Sequence, residues 1–146
     1  MNIKKLIAVL FGVLLSFSVL QAQDACATDG QKRIVITITS SSNVTSGFGL
    51  AVANAMQGAG VKSTVFIAGG AVPFALKKGD THTFAGAKLQ DLISKLIKQG
   101  GKVMICEGFV KMGGIKKSDM VNGVEVSSPA DLAGALYAPN VKTMTF

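Results

Sequence analysis

The chain has 146 residues, a formal net charge of +7 and an apolar share of 49%. Its lysines are scattered, tryptophan is absent, and aromatic residues do not alternate with basic ones, which excludes a nucleic-acid-binding surface of the usual kind. Two cysteines in the whole chain exclude a disulfide-stapled scaffold.

The first residues read as a secretory signal peptide over 1–22. Lys4 and Lys5 precede an uncharged apolar run from Leu6 to Leu20, and small or polar residues follow around Ala22. That run is shorter than the roughly 20 residues a membrane-spanning helix needs, so stable membrane insertion after cleavage is not expected. The expected location is periplasmic or secreted. A cut after Ala22 keeps Cys26, whereas the small-x-small triplet Ala25-Cys26-Ala27 places a second possible cut beyond it. Gln23 and Asp24 argue against acylation of Cys26 as a lipoprotein. Removal of 1–22 takes away two of the fifteen basic residues and none of the eight acidic ones, leaving a net +5. Residues 23–32 read as a flexible arm, and 33–146 as one domain with a single core.

The domain opens with Ile34-Val35-Ile36-Thr37-Ile38-Thr39, a strand dense in β-branched residues, which ends in Ser40-Ser41-Ser42-Asn43. After Ser46-Gly47, the Ala-rich stretch Phe48 to Met56 predicts a helix closing at Gly58 and Gly60. Ser63 to Ile67 predicts a second strand, stopped by Gly69-Gly70. The segment from Ala71 to Phe84, with Pro73, Gly79-Asp80 and the single histidine His82, predicts irregular structure. Leu89, Leu92, Ile93, Leu96 and Ile97 share one face of an amphipathic helix. Val103 to Ile105 predicts a third strand running into Cys106-Glu107-Gly108, and Phe109 to Met112 a short helix. Ser118-Asp119 predicts a turn. Ser128-Pro129-Ala130-Asp131 predicts a helix start with proline in the first turn, and Val141 to Phe146 a final strand. Strands alternating with helices on glycine-rich links imply an α/β fold with a mostly parallel sheet of about five strands and helices on both faces.

Ligands of open α/β sheets bind at the carboxyl ends of the strands. This draws attention to Ser41, Asn43, Gly69, Gly70, Gly108 and above all Cys106. A cysteine between a strand end and a helix start meets unpaired backbone N–H groups that favour the thiolate, the form that acts as nucleophile. A buried cysteine serving only as a small hydrophobe is the bland alternative. Glu107 and Lys111 are the neighbouring ionisable groups, and His82 is a candidate base. Cys26, if retained, could pair with Cys106 or resolve a mixed disulfide. Met104, Cys106, Met112 and Met120 offer soft sulfur ligands for Cu(I), a rival reading. The Gly69-Gly70 and Gly113-Gly114 pairs lack the ending of a phosphate loop, and no cofactor is expected.

Val103-Met104-Ile105-Cys106, followed by Lys111, Gly113-Gly114-Ile115 and Asp119, resembles the signature of the DsrE/DsrF-like proteins. The first strand with its Ser-rich loop, and the following helix with Ala51, Ala53 and Ala55, fit the same pattern. The resemblance implies a three-layer sandwich of the DsrE/YchN-like type. It also implies a sulfur carrier in which Cys106 takes up sulfur as a persulfide and passes it between donor and acceptor proteins, working as a homo-oligomer, a trimer or hexamer. A non-catalytic module that binds a small ligand or a protein through the same strand-end cleft is the alternative function.

Overall fold

The computed structural model describes residues 30–78 and 81–146. Residues 1–22, read above as a signal peptide, Cys26, most of the expected arm and the Gly79-Asp80 pair lie outside the described residues. Strand β1 (Arg33–Ile38) is followed by helix α1 (Asn43–Gly58), β2 (Lys62–Ile67) and a 3-10 segment, Gly69–Ala75. Then come a short antiparallel hairpin of β3 (Thr83–Phe84) and β4 (Ala87–Lys88), helix α2 (Leu89–Lys98) and β5 (Lys102–Cys106). The chain ends with α3 (Glu107–Met112), a 3-10 turn at Lys117–Asp119, β6 (Glu125–Ser127), α4 (Pro129–Leu136) and β7 (Val141–Thr145).

Helix α1 starts five residues before the predicted Phe48, and the reason is local. The Ser42 hydroxyl oxygen accepts a hydrogen bond from the Thr45 N–H at 3.3 Å, so Ser42 is a helix cap rather than loop. Gly47 and Gly49 lie inside the helix because neighbours press against it. A β-carbon on Gly47 would fall 2.3 Å from Phe84 Cβ, and one on Gly49 would fall 2.9 Å from the Phe146 ring. These glycines give up about 1 kcal/mol of helix propensity each in exchange for close approach. The segment expected to be irregular also carries structure: Ala71, Val72, Phe74 and Ala75 of the 3-10 segment are buried and plug the core.

The main sheet has the order β6-β5-β2-β1-β7, and every neighbouring pair is parallel. The steps β1 to β2, β2 to β5 and β5 to β6 all move one way across it. Right-handed crossovers therefore place their connecting helices on one face. The last connection leaps from β6 back past the whole sheet to β7, in the opposite direction, so the same rule sends α4 to the other face. Packing agrees with this. Ile34, Ile36, Ile38, Val65, Ile67, Val103 and Ile105 bury their side chains with Leu50 and Ala53 of α1 and Leu89, Ile93 and Leu96 of α2. Asn54 joins the two helices, its side-chain amide donating to Leu50 O at 2.9 Å and Leu92 O at 3.0 Å. The opposite face is thinner: Phe66, Ala68 and Met104 pack with Cys106, Leu132 and Ala135. The result is the expected α/β sandwich, with its third layer reduced to one eight-residue helix. No helix among the described residues is long and apolar enough to cross a membrane.

Strand β6 has no counterpart in the sequence reading. It is three residues long with one apolar side chain, and it exists because β5 offers a ladder on which Met104, Ile105 and Cys106 pair with Glu125, Val126 and Ser127. The Lys102–Glu125 ion pair at 3.0 Å closes its lower end.

Candidate functional site

Cys106 is the last residue of β5 and the cap residue of α3, half-buried, with extended backbone angles (φ −61°, ψ 123°). Its side chain makes no capping hydrogen bond to α3, and it is in no disulfide with any described residue. Beside it in the sheet stands Ser127, the last residue of β6. The chain leaves these two strand ends in opposite directions. After β5 it turns toward the main core, where Val110 of α3 packs. After β6 it turns to the thin face, where Leu132 of α4 packs on Phe66 and Met104. Adjacent strands whose outgoing connections part to opposite faces leave a crevice at their carboxyl ends, the position at which open α/β sheets bind ligands.

That crevice is a cleft of about 330 Å3. Phe66, Pro129 and Leu132 form an apolar wall, Ser127 and Ser128 line the β6 side, and Cys106, Glu107, Gly108 and Lys111 line the α3 side. Gly108 keeps the approach to the sulfur open: even a β-carbon there would sit 3.8 Å from Sγ, in ordinary contact, and glycine leaves that space unfilled. Glu107 Oε1 and Lys111 Nζ lie 2.6 Å apart, one helical turn from each other. Glu107 thus presents its charge to the cleft already offset by a cation. Both partners reach solvent, and the pair contributes at most a few tenths of a kcal/mol to stability.

The far wall is fixed by a capping box. The Asp131 carboxylate accepts from the Ser128 hydroxyl at 2.7 Å and from the Ser128 N–H at 2.8 Å, and the Asp131 N–H donates back to Ser128 Oγ at 3.3 Å. The hydroxyl hydrogen bond, then the backbone one, hold the Asp131 carboxyl below its ordinary value of 3.8, and the charge of Lys102 adds to the effect against slight desolvation. Pro129 in the first turn presets the helical φ. The box therefore sets where Leu132 projects over Phe66.

Of the residues singled out in the sequence, Cys106, Glu107, Gly108 and Lys111 share this cleft. Ser41, Asn43, Gly69 and Gly70 do not line it. They belong to the ends of β1 and β2, where two loops cross closely. Gly70 abuts the Ser41 backbone, with a β-carbon there falling 3.0 Å from Ser41 N. Gly69 takes a positive φ of 56°. Asn43 is the first residue of α1. His82 lies outside the cleft as well: its ring stands edge-on to Phe74 at 5.1 Å between centroids, and its carbonyl accepts from the Leu89 N–H at 3.2 Å. The copper reading fails on placement, because Met104 packs in the thin-face cluster and Met120 in the main core on the other side of the sheet, while Met112 is 81% exposed. Cys26 lies outside the described residues.

Phe66, Ser127, Ser128, Pro129 and Leu132 complete the site and were not anticipated as site residues. The Ser-Pro-Ala-Asp helix start was legible, but without β6 nothing indicated that it faces Cys106.

A model of the DsrE/DsrF-like family matches residues 32–146, the whole of the sheet and its helices. The chain belongs to the DsrE/DsrF-like family. Its fold is similar to that of the YchN protein of E. coli (TM-score 0.66, 22% identity, covering 80% of this chain and 99% of that one). It is also similar to MTH1491, a protein of unknown function from Methanobacterium thermoautotrophicum (TM-score 0.65, 15% identity, 80% and 100% covered). A third likeness is to BT1422, a conserved protein of unknown function from Bacteroides thetaiotaomicron (TM-score 0.63, 14% identity, 82% and 99% covered). None of the curated proteins compared matches the sequence. In DsrE/DsrF-like terms, Cys106 is the cysteine at the end of the strand Val103-Met104-Ile105 that carries the family resemblance.

Proposed function

We propose that this DsrE/DsrF-like protein is an exported sulfur carrier that holds sulfane sulfur as a persulfide on Cys106. The observation that carries the reading is a half-buried cysteine, in no disulfide with any described residue, at the crevice where the chain parts to both faces of the sheet. The Cys106 thiolate attacks the outer sulfur of a donor persulfide. A new S–S bond forms at Cys106, the donor's own S–S bond breaks, and the donor leaves as a thiolate. Delivery to an acceptor thiolate is the same exchange in reverse, so no net oxidant is consumed. The apolar wall of Phe66, Pro129 and Leu132 shelters the persulfide from solvent, and the gap at Gly108 admits the partner sulfur.

Export rests on the apolar segment Leu6 to Leu20. The mass of the protein recovered from the periplasm or medium tests it and fixes whether Cys26 is retained. The protein works as a homo-oligomer on this reading, a trimer or hexamer. Light scattering on the purified chain tests this, and a monomer at micromolar concentration contradicts it. The transfer itself is tested by incubating the purified chain with a labelled low-molecular-weight persulfide and then with an acceptor thiol. Wild type passes label on, and Cys106→Ser does not. Equal transfer by both removes Cys106 from the chemistry. The cleft volume, within the range of about 300 to 1,000 Å3 typical of small-ligand sites, favours the non-catalytic binding module as the second reading. In that case Cys106→Ser retains ligand binding and wild type transfers nothing.

A further inference from the structure

A second cavity, also about 330 Å3, lies at the opposite end of the sheet from Cys106. The first residues of four strands meet there: Arg33 of β1, Lys62 of β2, Lys102 of β5 and Val141 of β7. Alternation along the strands places Arg33, Lys62 and Lys102 on the thin face of the sheet, beneath the second half of α4. The cavity exists because, beyond Asp131, α4 offers only the small residues Gly134, Ala135 and, just past its end, Ala138 on that side. Larger residues there would fill it.

The charges in this cavity are unbalanced. Arg33 and Lys62 are paired in the β1–β2 register, so two cations stand side by side on neighbouring strands, about 5 Å apart at the backbone, an arrangement that is destabilising unless something offsets it. Lys102 has Glu125 at 3.0 Å, but Arg33 and Lys62 have no acidic partner among the described residues. The one acidic residue lining the cavity, Asp131, holds Ser128 through a single carboxylate oxygen and keeps its negative charge, which offsets only part of the three cations. In addition, Arg33 Nε is buried without a hydrogen-bond partner. That nitrogen is shut off from solvent, so an anion in the cavity would meet other atoms of the Arg33 side chain. A cavity and an excess of positive charge thus coincide at one place.

We propose that this cavity binds a small tetrahedral oxyanion, with the planar Arg33 guanidinium supplying paired donors and Lys62 and Lys102 supplying charge. Sulfate, thiosulfate and phosphate share the required chemistry, either free or as the charged group of a larger small molecule. The site is independent of Cys106 and of the sulfur-carrier reading.

The test is an NMR amide titration of the purified chain with sodium sulfate and sodium phosphate, against sodium chloride at equal ionic strength. A saturable response is expected, centred on Arg33, Thr64, Lys102 and Gly134. Lys62→Gln and Arg33→Gln each weaken binding by roughly tenfold, the loss of one charge-assisted hydrogen bond. Cys106→Ser binds as wild type. Lys62 is exposed, so its variant keeps the test valid if Arg33→Gln folds poorly. Phenyl phosphate binding more tightly than inorganic phosphate assigns the site to a larger ligand's charged group, and equal or weaker binding assigns it to the free anion. Either result supports the proposal. An unsaturable response, an equal response to chloride, wild-type affinity in Lys62→Gln, or loss of binding in Cys106→Ser overturns it.

Discussion

The two faces of the sheet differ in what they are built to do. One is covered by α1, α2 and the 3-10 plug, and nearly every strand residue pointing into it is an isoleucine or valine with almost no exposure. The other buries Phe66, Ala68, Met104 and Val35 beneath a single short helix, and both the Cys106 crevice and the cationic cavity lie on that side, at its two ends. Buried apolar packing is concentrated on the first face, and the open space, the basic side chains and the Cys106 sulfur on the second. The cause is topological: one crossover runs backwards, so one helix alone covers the second face; the parting connections leave the Cys106 crevice at one end, and the small residues of the helix leave the cavity at the other.

Mutations should separate the faces. Ile36→Ala, at a fully buried position of the thick face, should cost about 2–5 kcal/mol in denaturant unfolding while leaving the reaction of Cys106 with a thiol reagent unchanged under native conditions. Gly47→Ala forces a contact with Phe84 Cβ that backbone movement must relieve, and should cost about 1–3 kcal/mol by the same measurement. Ser128→Ala removes the α4 cap on the thin face and should cost about 1 kcal/mol. It should also speed Cys106 labelling, since the wall carrying Leu132 loosens. Lys111→Ala should change stability least, by under about 0.5 kcal/mol, while leaving the Glu107 charge uncompensated beside the thiol and slowing its labelling at neutral pH. A labelling rate that follows global stability across this series would erase the distinction between the faces.

Acid should reach the thin face through the capping box. The Asp131 carboxyl is lowered in the folded protein, so its contribution is complete above the ordinary value of 3.8 and is lost as pH falls through the lowered one. Fraying of α4, followed by the Ala135 amide, should therefore begin only below about pH 4.

Much of this architecture was legible from residue pattern. Ile34 to Ile38, Ser63 to Ile67 and Val103 to Ile105 are too rich in β-branched residues to be anything but buried strands, and the Leu89 to Ile97 stripe is an unambiguous helix face. The start of α1 was hidden because Gly47, which reads locally as loop, is set by a neighbour far away in the chain, Phe84. Cys106 was legible as a strand-end cysteine. Its cleft was not, because β6 has no hydrophobic pattern of its own and takes its conformation from β5. Missing that strand meant missing the reversal of the last crossover, and with it the reason why Cys106, rather than the Ser41 or Gly69 loops, sits at the crevice.

The most direct test of the account is the mass of the purified chain after brief exposure to a sulfane-sulfur donor. The account predicts a gain of about 32 Da, one sulfur atom, removed by a reducing thiol and mapped to the peptide carrying Cys106. An unmodified Cys106, or the same gain in Cys106→Ser, would contradict it.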